Sequence, residues 1–500
     1  MKVLFGVAFA LLAAVICGGA VPTTWYFPNH AFGDQGWAIT VDRLLADGLV
    51  PTRDFAYTYG LLPLSIHRLL YAAVGHSPFV VSGLLIGFMA AAAVGVWRIA
   101  EAVKPGAVGR LLILLTLPLV VIPSLLPSPV HAMESAILIH ALAEQARGRL
   151  GRALLLATVG VLVKPALGYV FGFILLAQCL LTPTADGSGR WRRLVPAAVA
   201  GGGILALMAA EYGVEPVLKT QLPGEAQKEY RDLDCGFFFG VGRTFAVPRE
   251  GTDLWLYYSR TPAGVWLLSS VALVLAAIPA AFRLRTDPAA RLVATVAAWH
   301  VLFVCYGFSS EGSWIYYPYL PFVGGAVAVG RLPVWLGRPV GWPLAALVGG
   351  AVAVPAVLTA VFWVGTGARA SWTNFERSPV TAGMNAPPAL VPVWADVRAK
   401  AATGKVFVLC RMGCAPTLAP GVTGPRSWYL SRAIATPGEM DWTRDEIARS
   451  EWLLLPHWCE NLVTWPELAD VVSDFQFDPP YHHGDTFRLF ARKPGRPAKP

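Results

Sequence analysis

Arginine clusters fill every second gap between long apolar runs, and this alternation constrains the chain more than any other feature. The runs lie at roughly residues 3–21, 78–97, 111–127, 131–146, 153–163, 166–182, 194–211, 263–282, 293–308, 316–330 and 342–364. A bilayer core takes about 20 apolar residues per helix. Only 14% of the 500 residues are charged, whereas soluble domains average about 25%. The runs therefore read as membrane helices, about eleven of them, in a helical polytopic membrane protein. Arg98, Lys104 and Arg110 share one connection. Arg147, Arg149 and Arg152, then Arg190, Arg192 and Arg193, then Arg283, Arg285 and Arg291, then Arg331 and Arg338 follow at alternate connections. Acids there are few: Glu101, Asp186 and Asp287, with Glu144 at a helix end. Cytoplasmic loops carry the Lys and Arg excess, so the N-terminus is expected inside and the C-terminus outside, in a bacterial inner membrane. The formal charge of +9 comes from these loop clusters and does not indicate nucleic-acid binding.

Parity depends on residues 153–182. One helix of thirty residues would reach about 45 Å, well beyond a core of about 30 Å. Proline breaks a helix interior. A hairpin of two short helices broken at Lys164-Pro165 is therefore expected. The apolar run after Met1-Lys2 reads as an uncleaved first helix, although cleavage after Gly18-Gly19-Ala20 would also fit a secretory signal.

The segments 22–77, 212–262 and 365–500 then lie outside the membrane. The transmembrane domain takes 1–364, and a small extracytoplasmic α/β domain takes 365–492. That domain is expected to have strands at Val406–Leu409 and Trp452–Leu455 and a helix from Trp442 to Ser450 capped by Asp441 or Thr443. Phe487 to Arg492 alternates as an edge strand after a Gly484-Asp485 turn. The basic, Pro-rich tail 493–500 is expected to be disordered. Cys17, Cys179 and Cys305 sit in apolar runs as buried hydrophobes. One disulfide among Cys410, Cys414 and Cys459 is possible, and the sequence does not choose the pairing.

The first external loop carries the most specific motif. It opens Asp34-Gln35-Gly36-Trp37, continues through Asp47-Gly48-Leu49-Val50-Pro51-Thr52-Arg53-Asp54-Phe55, and ends with Tyr57, Tyr59, Gly60 and Pro63. This order resembles the first external loop of the GT-C class of membrane glycosyltransferases. The likeness is to the family-39-like branch, which includes protein mannosyltransferases and the lipid A aminoarabinose transferase. The resemblance covers most of the first 330 residues in order and topology, and its specific motif is confined to residues 34–63. It implies an inverting transfer of a sugar from a polyprenyl-phosphate donor to an extracytoplasmic acceptor, with Asp34 as the catalytic acid residue of the loop. Gln35 stands where the family often has Glu. Lys164-Pro165 resembles a Lys-Pro turn of many relatives, and Glu134 stands where a second acid, more often Asp, is found.

Such a transfer needs a base for the acceptor hydroxyl and cations for the departing phosphate. Asp34, ionised at neutral pH with an ordinary pKa near 3.9, suits the base; it could equally orient the hydroxyl or hold a divalent cation. From position alone it also reads as a solvated loop acid or the N-cap of a helix from Trp37 to Asp47. Arg53 offers a planar fork to phosphate, or pairs with Asp54 to shape the loop. Asp54, Tyr57 and Tyr59 are candidates for an acceptor or sugar groove, the tyrosines also for an interfacial belt. Glu134 and Lys164 are ionisable residues in apolar surroundings, which face a cavity or a partner or snorkel outward. Arg231 and Arg243, around Gly236-Phe237-Phe238-Phe239-Gly240, suit a lipid phosphate headgroup or plain interfacial docking. Glu311, Tyr316 and Tyr317 crowd an outer turn and suit a sugar or an aromatic belt. No P-loop, Gly-x-Ser-x-Gly elbow or His-Glu-x-x-His is present. His482 and His483 are adjacent in a strand and would point to opposite faces, so no structural metal is expected. A transporter or flippase of a lipid-linked glycan, or a non-catalytic assembly protein, are the rival classes.

Overall fold

The computed structural model describes residues 2–125, 129–182, 190–222, 262–307, 319–362, 376–409, 413–427, 430, 435–456, 462–477, 482–483, 487–496 and 498. Each apolar run falls on a helix. In order these are α1 (Lys2–Thr24), the short α2 (Phe27–Ala31), α3 (Asp34–Ala46), α4 (Leu62–Val74), α5 (Pro78–Val103), α6 (Gly106–Leu125), α7 (Pro129–Ala146) and α8 (Leu150–Val163). There follow α9 (Pro165–Leu181), α10 (Val195–Tyr212), α11 (Val214–Gln221), α12 (Pro262–Ala281), α13 (Pro288–Gly307), α14 (Tyr319–Trp335) and α15 (Arg338–Phe362). Among the described residues, α5 and α10 are long and apolar enough to cross a membrane. Apolar stretches of 10–17 residues lie on α1, α4, α6, α8, α9, α12, α13 and α14.

The chain breaks between α8 and α9. Lys164 is extended (φ −148°, ψ 102°) and caps α9, as a residue before proline prefers, and the two helices pack on each other. At one end of the bundle, Glu144 of α7 pairs with Arg98 of α5 and lies 3.6 Å from both Arg147 and Arg149. The Arg193 backbone passes within 3.1 Å of the space over Gly151, so three of the basic connections meet at that end. The opposite end holds the first loop. There Ser82 of α5 donates to the Thr24 carbonyl at the end of α1 (2.7 Å).

The C-terminal strands are β1 (Glu376–Arg377), β2 (Asn385–Ala386), β3 (Val406–Val408), β4 (Val422–Thr423), β5 (Trp452–Pro456), β6 (His482–His483) and β7 (Phe487–Ala491). Helices α16 (Leu390–Ala401), α17 (Ala415–Leu418), α18 (Pro437–Arg449) and α19 (Pro466–Val472) interleave with them. The main sheet runs β4-β3-β5-β7-β6, with β3 parallel to β4 and β5, and β7 antiparallel to β5 and β6. Side chains alternate across it. Val406, Val408 and Leu454 pack with Trp394 and Val397 of α16, while Phe407, Leu453 and Leu455 pack with Ile447 of α18. A sheet covered on both faces gives uninterrupted apolar runs, such as Leu453-Leu454-Leu455.

Two expectations change. Strand β7 is interior, because β6 pairs along its other side. Helix α18 starts five residues earlier than Trp442: its cap is Thr436, whose hydroxyl accepts the Glu439 N–H (3.2 Å), with Pro437 supplying the first helical φ. In the structure α2 completes one core face of the C-terminal region: Phe27 and Phe32 meet the Trp394 ring at 5.1 and 5.6 Å, and Phe32 lies 4.7 Å from Phe487. The Trp25 carbonyl accepts the Asn385 N–H (3.0 Å), and the His30 carbonyl accepts the Cys414 N–H (2.7 Å).

Candidate functional site

Asp34 is the first residue of α3, one past the extended cap residue Gly33, and not itself the cap. A carboxylate in the first turn is favoured by the helix dipole. Trp37 lies three residues on, on the same helix face, and carries that face into the loop. Its ring stacks on Tyr57 (5.3 Å) and meets Tyr59 edge-on (6.5 Å). Both tyrosines are buried, Tyr57 to 4% and Tyr59 to 8% exposure. Their rings pack on Trp37 and His131 and form an aromatic floor. Burial pushes the Tyr57 phenol well above its ordinary range. Gln35 is fully buried; a Glu there would place a second charge at a large desolvation cost.

The loop is clamped onto the helix break. Gly60 donates its N–H to the Val163 carbonyl (3.0 Å), and any side chain at Gly60 would sit 1.9 Å from the Leu162 carbonyl oxygen. This contact sets Tyr59 beside Lys164, whose ammonium lies 5.7 Å from the ring centre, a cation–π distance. The Lys164 ammonium also reaches the His131 ring nitrogens at 3.1 and 3.2 Å, and His131 meets Tyr59 edge-on (5.8 Å). Glu134 is three residues from His131 on α7 and fully buried. The structure therefore joins α3, the first loop, the start of α7 and the α8–α9 break into one apolar and ionisable cluster.

Arg53 and Asp54 are placed differently. Arg53 is exposed and forks onto Asp54 (2.9 Å), whose carboxylate also accepts the Val50 N–H (2.7 Å). Hydrogen bonding from Arg53 holds the Asp54 carboxyl below its ordinary value. The pair shapes the loop turn, and only the Nε and Nη2 edge of the exposed guanidinium is turned to Asp54. Arg231, Arg243, Glu311, Tyr316 and Tyr317 lie outside the described residues, as do Cys410 and Cys459. Cys414 is a free, buried thiol pushed up to about 12 by burial, so the structure does not place it in a disulfide.

Two contributors were missed in the sequence. His131 was signalled only by its i, i+3 spacing to Glu134 after Pro129. Glu439 completes a Thr436-x-x-Glu439 capping box, its carboxylate hydrogen-bonded to the Thr436 backbone and also to two other segments. One oxygen accepts the Ser427 N–H (2.7 Å) and hydroxyl; the other accepts the N–H of Ala56 (3.3 Å), next to Tyr57. Burial raises the Glu439 pKa against these bonds. Among the described residues, no three or more His, Cys, Asp or Glu side chains gather to hold a metal. A divalent cation at Asp34 would need substrate phosphate oxygens to complete its shell.

The overall fold is similar to the GT-C fold. The crystal structure of ArnT from Cupriavidus metallidurans bound to undecaprenyl phosphate superposes over 100% of both chains, at a TM-score of 0.51 and 14% identity. The apo structure of the same protein gives 0.49 at 13%. The arabinofuranosyltransferase AftD from Mycobacteria gives 0.46 at 16%, covering 100% of this chain and 40% of AftD. No family model matches the chain, and no curated protein does.

Proposed function

We propose that the chain is a membrane glycosyltransferase that moves a sugar from a polyprenyl-phosphate donor to an extracytoplasmic acceptor. The observation that carries this reading is the clamp between the Asp34-bearing loop and the Lys164 break, closed by Gly60, Tyr59 and His131. It fixes one cation, Lys164, beside the aromatic floor of the loop that Asp34 opens. In the reaction Asp34 takes the acceptor hydroxyl proton while that oxygen bonds to the anomeric carbon. The bond from that carbon to the phosphate oxygen breaks, and the phosphate departs with the electron pair. Lys164 stabilises that departing charge, with Arg53 at the rim and with Arg231 and Arg243 of the 212–262 loop as further phosphate ligands. Glu134 is the second acid, and Tyr57, Tyr59, Glu311, Tyr316 and Tyr317 bound the sugar space. The undecaprenyl phosphate held by ArnT supports a polyprenyl chain as the donor's lipid.

The same reading puts all eleven apolar helices across the bilayer, with the Glu144 end and its arginines in the cytoplasm. Residues 22–77, 212–262 and 365–492 then lie outside the cell's inner membrane. The test is purified protein in liposomes with a labelled polyprenyl-phosphate sugar. Transfer of label to an acceptor supports the proposal; movement of intact donor across the bilayer without transfer would assign a flippase and defeat it.

A further inference from the structure

Helices α1 and α5 run antiparallel, and from Ser82 to Lys104 along α5 the chain climbs about 33 Å at 1.5 Å per residue. That is about one bilayer core. The far end of this pair is therefore at the opposite membrane face from Asp34 and its loop. A groove runs between the two helices toward that end. Its inner part, about 500 Å³, is lined by Gly6, Phe9, Ala13, Ala93, Val94 and Trp97 and is almost wholly apolar. A second cavity of about 450 Å³ shares Gly6 and Trp97 with the first and continues it to Glu101, Lys104 and Arg110. The sharp change from small apolar residues to two cations and one carboxylate occurs at Trp97. Its indole stacks on Phe5 (5.4 Å), and the Arg110 guanidinium lies 5.5 Å from the Phe5 ring centre.

We propose that this groove binds an anionic phospholipid, with an acyl chain along α1 and α5 and the phosphate between Lys104 and Arg110. The combined space suits a lipid-sized ligand. Basic pockets between membrane helices take anionic headgroups, and two cations against Glu101 leave one net positive charge for one phosphodiester. The occupant is a bulk phospholipid and not the sugar donor, because the basic end lies a bilayer's thickness from the loop that carries Asp34. The site rests on the membrane reading of α1 and α5 and not on the transfer chemistry.

The test is native mass spectrometry of the purified full-length protein with phosphatidylglycerol and phosphatidylcholine of identical acyl chains. The expected result is a phosphatidylglycerol adduct, held about thirtyfold more weakly by the Lys104→Gln/Arg110→Gln variant. Filling the groove with Ala10→Phe/Ala14→Phe, at exposed positions of α1, should remove the adduct. Val94→Phe, 52% exposed on α5, fills it from the other wall should the α1 variant fail to insert. Equal adducts of the two lipids, or a phosphatidylglycerol adduct unchanged in the charge or groove-filled variants, would overturn the site. Each of those results leaves the transfer reading untouched, since no turnover is measured.

Discussion

Glu439 reaches across 383 positions of sequence to hold Ala56, next to Tyr57 in the loop that Asp34 opens. Removing its carboxylate strands buried N–H donors, each costing about 1–3 kcal/mol. Glu439→Ala is expected to lower the thermal midpoint and the turnover, and Glu439→Gln, which keeps one acceptor oxygen and turns an N–H against the other donors, to restore part of both. Loss of stability with unchanged turnover would separate Glu439 from the site. His30 offers a second residue-scale test. It is buried among Thr24, Ser82 and Trp25, donates from Nε2 to the Thr24 carbonyl (2.8 Å), and burial pushes its pKa down to about 4. A depressed value means the unfolded chain, titrating near 6.5, binds the proton first. His30's contribution is therefore present above pH 6.5 and is lost as pH falls toward 4, by about 3 kcal/mol across that window. Thermal unfolding from pH 7.5 to 4.5 should show this loss, and His30→Gln should flatten it.

At the scale of elements, α2 behaves as part of the C-terminal fold, although over three hundred residues separate them. Phe27 is fully buried against Trp394, and Phe→Ala at such a site costs about 3–5 kcal/mol. Phe27→Ala is expected to expose residues 376–430 to limited proteolysis while the bundle stays intact; unchanged proteolysis would contradict the docking. The helices were readable because an apolar run needs no tertiary information, and the Lys164 break followed from length and proline alone. Strands β3 and β5 were readable for a similar reason, being short apolar runs bounded by polar turns. What could not be read were contacts chosen by the assembled fold: the capping-box acid Glu439 also reaching Ala56, the phenylalanines of α2 inside another core, and β6 covering β7. At Asp34 the helix began three residues earlier than expected because Gly33, not Asp34, supplies the extended cap.

The whole molecule is a bundle with two chemically different ends. One end gathers Arg98, Arg147 and Arg149 on Glu144, and the other holds Asp34, Lys164 and the sheet of the C-terminal region. Cysteines substituted near Gly187 and Arg285 should react with impermeant thiol reagents only after the inner membrane is opened, and one near Gly224 should react in intact cells. Labelling at 187 from outside would reverse the orientation. The central claim is that Asp34 removes the acceptor proton. Asp34→Asn keeps size and hydrogen bonding and deletes the charge, and loss of a general base costs about 10²–10⁴-fold. Asp47→Asn is the control, since Asp47 is exposed beyond the far end of α3, about 20 Å along the helix. The deciding measurement is turnover of a labelled polyprenyl-phosphate sugar by purified wild type, Asp34→Asn and Asp47→Asn of equal thermal stability. The account predicts near-complete loss in the first variant and wild-type rates in the second. Normal turnover by Asp34→Asn would contradict it.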